Sequence, residues 1–96
     1  MNHHTVIAVQ DDQIVGFGDM DDSGYLNRLF VHKDHQGEGI ATAICDKLEG
    51  FMAGKRITTF ASLTAIPFFL HRRYHVVRKQ EVERNGVLLT NCLMER

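Results

Sequence analysis

The stretch Leu29-Phe30-Val31-His32-Lys33-Asp34-His35-Gln36-Gly37-Glu38-Gly39-Ile40-Ala41 decides how this chain is read. An apolar strand-like run ends at Val31, a polar loop with two glycines follows, and a helical pattern begins at Ile40. Glycine lets the backbone turn sharply and leaves its N–H groups uncovered. Those N–H groups and the first helical turn form a concave site for an anion, reinforced by the positive end of the helix dipole. One anionic group there gains about 0.3–2 kcal/mol from the dipole alone. Taken by itself, the same hexapeptide is also compatible with a tight strand-to-helix connection that holds nothing.

Downstream of the loop, Ile40, Ile44, Leu48, Phe51 and Met52 recur at helical spacing, and Ala41 and Cys45 widen the stripe. Asp46, Lys47 and Glu49 take the other face, and Gly50 and Gly54 mark where the helix weakens and stops. Ile57 to Ala61 reads as a short buried strand. A second helix is expected from Ala65 to about Arg73, capped by Ser62 or Thr64, with Pro67 in its first turn. Val76 to Arg84 and Val87 to Met94 flank Asn85-Gly86, a strong hairpin signal.

Upstream, Thr5 to Val9 and Ile14 to Phe17 read as a hairpin turning at Asp11-Asp12. Asp21-Asp22-Ser23-Gly24 makes the next turn, and Tyr25 to Val31 is the third strand. The order β-β-β-α-β-α-β-β predicts an α/β layered fold with a mixed, mostly antiparallel sheet flanked by helices. The 96 residues are expected to form one domain, 1–96, with a thin core burying roughly 60–65% of the unfolded surface.

Composition narrows the function. Net charge is -1, and no basic run offers the concentrated cationic face that nucleic acid requires. No apolar stretch spans a bilayer, and Met1-Asn2-His3-His4 does not resemble a secretory signal. Cys45 and Cys92 match no metal spacing and read as buried, reduced thiols of a cytoplasmic protein. The His3-His4 pair falls at an end expected to fray. The Lys-Ser/Thr that closes a P-loop is absent, as is GxGxxG, which sets both those nucleotide sites aside.

At this loop the sequence resembles the GNAT acetyltransferase superfamily, whose acyl-CoA motif is Gln/Arg-x-x-Gly-x-Gly/Ala. Here it reads Gln36-Gly37-Glu38-Gly39-Ile40-Ala41. Ser62-Leu63-Thr64-Ala65-Ile66-Pro67-Phe68-Phe69 with Arg73-Tyr74 is similar to the family's Asn/Ser-x-x-Ala-x-x-Phe-Tyr…Gly-Phe block. The resemblance implies acetyl-CoA as co-substrate, its pyrophosphate on the backbone N–H groups from Gln36 to Ala41. It implies a pantetheine arm flanked by Leu29, Phe30 and Val31 on one side and Ala61 to Ser62 on the other, with Phe68 and Phe69 close by. It further implies direct transfer of the acetyl group to an amine of a small molecule or protein, a strand N–H near Phe30 or Val31 stabilising the oxyanion. Neither a covalent enzyme intermediate nor a metal is implied.

The sequence departs from the family pattern in three ways. Phe69 stands where a tyrosine often protonates the CoA thiolate, leaving Tyr74, Tyr25 or water as substitutes; Tyr74 also reads as a packed aromatic at the helix end. Asn27 stands where an acidic residue is frequent, leaving Asp21, with neighbours Asp19 and Asp22, as a candidate base on what is also an ordinary solvated turn. Histidine titrates near neutrality, which brings in His71 and His75, though surface roles suit both. Lys33, His35, Arg72 and Arg73 are further candidates to attract CoA phosphates, with Glu38 adding a negative charge nearby. Finally, typical members place a strand and two helices ahead of the opening hairpin. Their lack here predicts an open acceptor pocket and an unprotected sheet edge suited to a homodimer. A non-catalytic acyl-CoA-binding module, or a truncated domain acting within an assembly, is the competing expectation.

Overall fold

Asp11 and Asp12 both take positive φ, 51° and 62°, the geometry of a two-residue turn matched to strand twist. They join β1 (His3–Gln10) to β2 (Gln13–Asp21), and the Asp21-to-Gly24 turn leads into β3 (Tyr25–Val31). A 3₁₀ turn (Lys33–His35) precedes α1 (Ile40–Phe51). Then come β4 (Thr58–Ser62), α2 (Ile66–His71), β5 (His75–Arg84) and β6 (Val87–Glu95). This computed structural model describes residues 3–96. The element order is the expected one, β-β-β-α-β-α-β-β, and each predicted strand is present with its ends moved by a few residues.

The chain divides into two compact units, Met1–Ile57 and Thr58–Arg96. In the first, β1, β2 and β3 form an antiparallel meander with β2 central. Two register shifts interrupt it. Ala8 and Val9 face Gly16 and Ile14, so Val15 is an extra residue on β2. Asp19 and Met20 face Arg28 and Leu26, which makes Asn27 a bulge on β3.

Helix α1 lies directly on β2. A Cβ added at Gly18 would sit 2.6 Å from Ile44 Cγ2 and 2.8 Å from Leu48 Cδ1, so only hydrogen fits there. Ile44, Cys45, Leu48 and Met52 are buried with Met20 and Leu26, so these turns of the predicted stripe do form the core. Phe51 does not: it is half exposed and stacks on His4 with ring centroids 4.5 Å apart. The expected stripe over-counted by one residue, because at the C-terminal end of α1 that position points past the sheet.

In the second unit β6 is central, antiparallel to both β4 and β5. Asn85 and Gly86, at φ 52° and 78°, close the predicted β5–β6 hairpin. Helix α2 is shorter than expected and its N-cap is Ala65, with no side-chain cap. Ser62 and Thr64 hydrogen-bond to each other at 3.2 Å instead of to the helix. Pro67 does occupy the first turn.

The end of α2 explains the Arg73-Tyr74 pair. Arg73 N–H donates to Leu70 C=O at 3.1 Å, and Tyr74 N–H reaches back to Phe69 C=O at 3.0 Å. With Arg73 at φ 71°, this is a Schellman closure, in which the residue after the left-handed position packs on the third from the helix end. Tyr74 and Phe69 meet accordingly, edge to face at 5.0 Å, both buried. A β-carbon in that left-handed conformation costs about 1–2 kcal/mol. Arg73→Gly is therefore expected to raise the unfolding free energy by about 1 kcal/mol. Denaturant melts of the two chains check this, and a destabilised glycine variant would contradict it.

Candidate functional site

The loop between β3 and α1 is tied at several points to the first unit's own backbone. His32 N–H donates to the carbonyl of Val15, the bulged residue of β2, at 2.7 Å. His32 Nδ1 accepts from Asp34 N–H at 3.1 Å, and His35 N–H donates to His32 C=O at 2.9 Å, which fixes the 3₁₀ turn. Gln36 Nε2 donates to Val31 C=O at 2.8 Å and so pins the loop to the end of β3. Glu38 Oε1 lies 3.0 Å from His35 Nδ1, which ties that carboxylate to the imidazole.

Side chains thus hold the loop while its backbone stays open. Gly37 and Gly39 have φ of 78° and 79°, and a Cβ at either would meet nothing within 4 Å. Gly39 is the N-cap of α1, with no side chain capping the helix, and its carbonyl accepts Ala43 N–H at 3.0 Å. Among the described residues, no protein acceptor takes the N–H groups of Gly37, Gly39, Ile40 or Ala41. Four donors without a protein acceptor, two of them on glycines with open space at the Cβ position, at the positive end of a 12-residue helix, suit an anion.

The other residues named from the sequence fall into place unit by unit. Leu29 and Val31 are partly buried on β3, and Phe30 is about half exposed. Lys33 carries no ion pair among the described residues. In the second unit Ser62 ends β4, Phe68 meets Phe69 edge-on at 5.2 Å, and the Arg72 guanidinium lies 5.9 Å from the Phe68 ring centre. Phe69 is buried and carries no hydroxyl, and Tyr74 is committed to closing α2.

Asp21 is likewise built into structure. Its Oδ1 accepts from Ser23 N–H at 2.9 Å, from the Ser23 hydroxyl, and from Tyr25 N–H at 3.2 Å. The Ser23 hydroxyl above all, joined by those backbone bonds, holds its pKa below the ordinary aspartate value against the opposing effect of burial. A carboxylate so stabilised is a weaker proton acceptor than a free one. The geometry gives Asp21 the job of shaping the β2–β3 turn. Asp19, expected with its neighbours on a solvated turn, is instead buried two positions before Asp21 on β2 and faces Thr5, His3 and Arg28. A carboxylate inside a run of apolar β2 residues was the available signal.

Comparison with known proteins decides the family. A model described as an acetyltransferase (GNAT) domain matches residues 1–96. The chain belongs to the GNAT acetyltransferase family. An uncharacterized N-acetyltransferase of Escherichia coli (strain K12), YafP, is 33% identical over 88 residues, covering 92% of this chain and 57% of that protein. The crystal structure of a GCN5-related N-acetyltransferase from Rhodopseudomonas palustris superposes with a TM-score of 0.88 at 31% identity, covering 98% of this chain and 61% of that one. Arabidopsis thaliana Naa50, solved in complex with the bisubstrate analogue CoA-Ac-MVNAL, has a TM-score of 0.78 at 16% identity, covering 96% and 71%, and shares the fold. The chain thus spans about three fifths of the length of the first two relatives. The GNAT α/β fold expected from the sequence is the fold observed. Among the described residues no helix is long and apolar enough to cross a membrane.

Proposed function

We propose that the chain binds acetyl-CoA at the β3–α1 loop and transfers the acetyl group to an amine. The observation that carries this reading is the N-terminus of α1, where among the described residues the N–H groups of Gly37, Gly39, Ile40 and Ala41 have no protein acceptor and a Cβ at either glycine would meet nothing within 4 Å. A pyrophosphate there collects several charge-assisted hydrogen bonds as well as the dipole. Gln36 and Glu38 contribute by holding the loop, through Val31 C=O and His35, rather than by touching phosphate with their side chains. Leu29, Phe30 and Val31 are assigned to the pantetheine by family correspondence, as are Ser62, Phe68 and Phe69 in the second unit. That Naa50 was solved with a CoA bisubstrate analogue supports the same ligand class.

Bound acetyl-CoA supplies an activated thioester, so the chain need only orient it and stabilise developing charge. A β3 N–H near Phe30 or Val31 donates to the acetyl oxygen as it gains negative charge. The attacking amine must arrive unprotonated, and with Asp21 tied into its turn, solvent takes its proton. Phe69 donates none to the departing thiolate, which leaves as the anion or collects a proton from water. These same features favour the runner-up, a module that binds acyl-CoA without turnover.

Thermal unfolding with acetyl-CoA, followed by thiol release across a panel of amines, tests the proposal. A ligand at a hundredfold excess over its Kd that binds only the folded state adds about 2.7 kcal/mol. The expected result is a clear upward shift in Tm together with amine-dependent thiol release. A shift without release makes the chain a binding module, and no shift overturns both readings.

A further inference from the structure

The face of the first unit's sheet opposite α1 carries two adjacent cross-strand rows. Ile7, Phe17 and Phe30 pair across β1, β2 and β3, and Thr5, Asp19 and Arg28 pair one step along. Both rows project away from the helix, because the alternate β2 positions Gly16 and Gly18 are the ones that meet Ile40, Ile44 and Leu48.

The first row is apolar and open. Phe17 and Phe30 lie 5.6 Å apart, and Phe30 and Ile7 are 48% and 54% exposed. The second row is charged. Asp19 is sunk into the sheet, its side chain only 8% exposed, with Thr5 Oγ1 at 3.4 Å and His3 Nδ1 at 3.5 Å from Oδ1. Arg28 Nη2 lies 3.5 Å from Asp19 Oδ2, and its guanidinium carbon is 6.0 Å from the Phe17 ring centre. The Arg28 side chain is therefore drawn toward the aromatic row, while remaining 67% exposed.

Each contact to Asp19 is at the outer limit of hydrogen bonding, so the guanidinium is steered rather than clamped. Its Nη2 faces Asp19, and among the described residues no other acceptor is set against the rest of the five-donor fork. A planar fork beside one exposed and one partly buried aromatic ring matches one chemistry: a carboxylate attached to an apolar body. Asp19 disfavours a dianion there more than a monoanion, since its repulsion scales with ligand charge.

The geometry points to Arg28 as the acceptor-selecting residue: it takes the carboxylate of an amino acid or similar amine, whose apolar part lies on Phe17 and Phe30. This rests on the acetyl-transfer reading, because Phe30 is where that reading puts the reacting carbonyl. The rows are two residues apart, about 7 Å, within the span of one amino acid plus the arginine side chain. Asp19 acts as a positioning residue for Arg28.

The test is an NMR titration of the full chain, without acetyl-CoA, using L-phenylalanine and 2-phenylethylamine as probes. The Arg28 Nε–H and Phe30 ring signals are followed. L-phenylalanine is expected to move both signals saturably, and phenylethylamine, lacking the carboxylate, to bind at least about tenfold more weakly. Arg28→Gln is expected to remove that preference, and Arg28→Lys to restore part of it. Equal binding of the two probes, an unaltered preference in Arg28→Gln, or no saturable response would each overturn the assignment. The acetyl-CoA thermal shift is read separately. Its absence with the carboxylate preference intact would sink the acetyl-transfer reading and still support the Arg28 site.

Discussion

Replacing Gly24 with alanine is expected to lower the melting temperature by about 8–40 °C. Gly24 closes the β2–β3 turn at φ 87°, its N–H donating to Asp21 C=O at 3.0 Å. A Cβ there would stand 2.2 Å from the carbonyl oxygen of Arg56 and 3.3 Å from its carbon. Those are backbone atoms, which cannot rotate away as a side-chain tip can. The left-handed conformation costs about 1–2 kcal/mol for a residue with a β-carbon, and forcing the backbone apart about 1–3 kcal/mol more. In a domain this small each kcal/mol moves Tm by roughly 4–8 °C. Gly54→Ala is the control, because Gly54 has φ 77° but nothing within 4 Å of a Cβ. Circular-dichroism melts should show the Gly24 variant falling much further than the Gly54 variant. Equal losses would mean that the Arg56 contact yields easily.

The second large effect is on binding. Gly39→Glu is expected to leave the chain folded, at a cost near the 1–2 kcal/mol of a left-handed residue, while abolishing the acetyl-CoA thermal shift. No protein atom lies within 4 Å of the new Cβ, so the added side chain occupies open space at the N-cap of α1. That space is where a phosphate must approach to reach the N–H groups, and a carboxylate there repels it. The roughly 2.7 kcal/mol that a hundredfold excess of ligand should add would disappear. If the shift persists in the variant, the ligand is held somewhere other than this loop.

The two glycines separate two kinds of constraint that look alike on paper. Gly24 is required by the fold and Gly39 by the ligand proposed. Both sit at turns, and neither neighbouring residue distinguishes them. Only the distance from an imagined Cβ to Arg56 in one case, and to nothing in the other, tells them apart.

Much of the fold was legible because it depends on short-range chemistry. Asn85-Gly86 and Asp11-Asp12 tolerate positive φ, so both hairpins could be read locally. The α1 core positions Ile44, Cys45, Leu48 and Met52 followed from helical periodicity, while Phe51 did not, since burial depends on where the sheet ends beneath the helix. The cap expected of Ser62 or Thr64 failed because the two hydroxyls bond to each other, an outcome that no propensity records.

The β3–α1 loop shows the same division. By itself the sequence determined that Gln36-to-Ala41 could turn, begin a helix and leave N–H groups bare, because glycine freedom and helix polarity are local properties. It also determined the family, since the two motif blocks carry their spacing with them. Tertiary structure alone decided what each side chain does. Gln36 reaches back to Val31, Glu38 turns to His35, Asp21 is consumed by its own turn, and Tyr74 by the end of α2. It also brought Asp19, Arg28 and the two phenylalanines onto one face. The physical reason for that shared face is register: residues nine or more apart in the chain become neighbours only when strand pairing and its bulges set which side chains share a row.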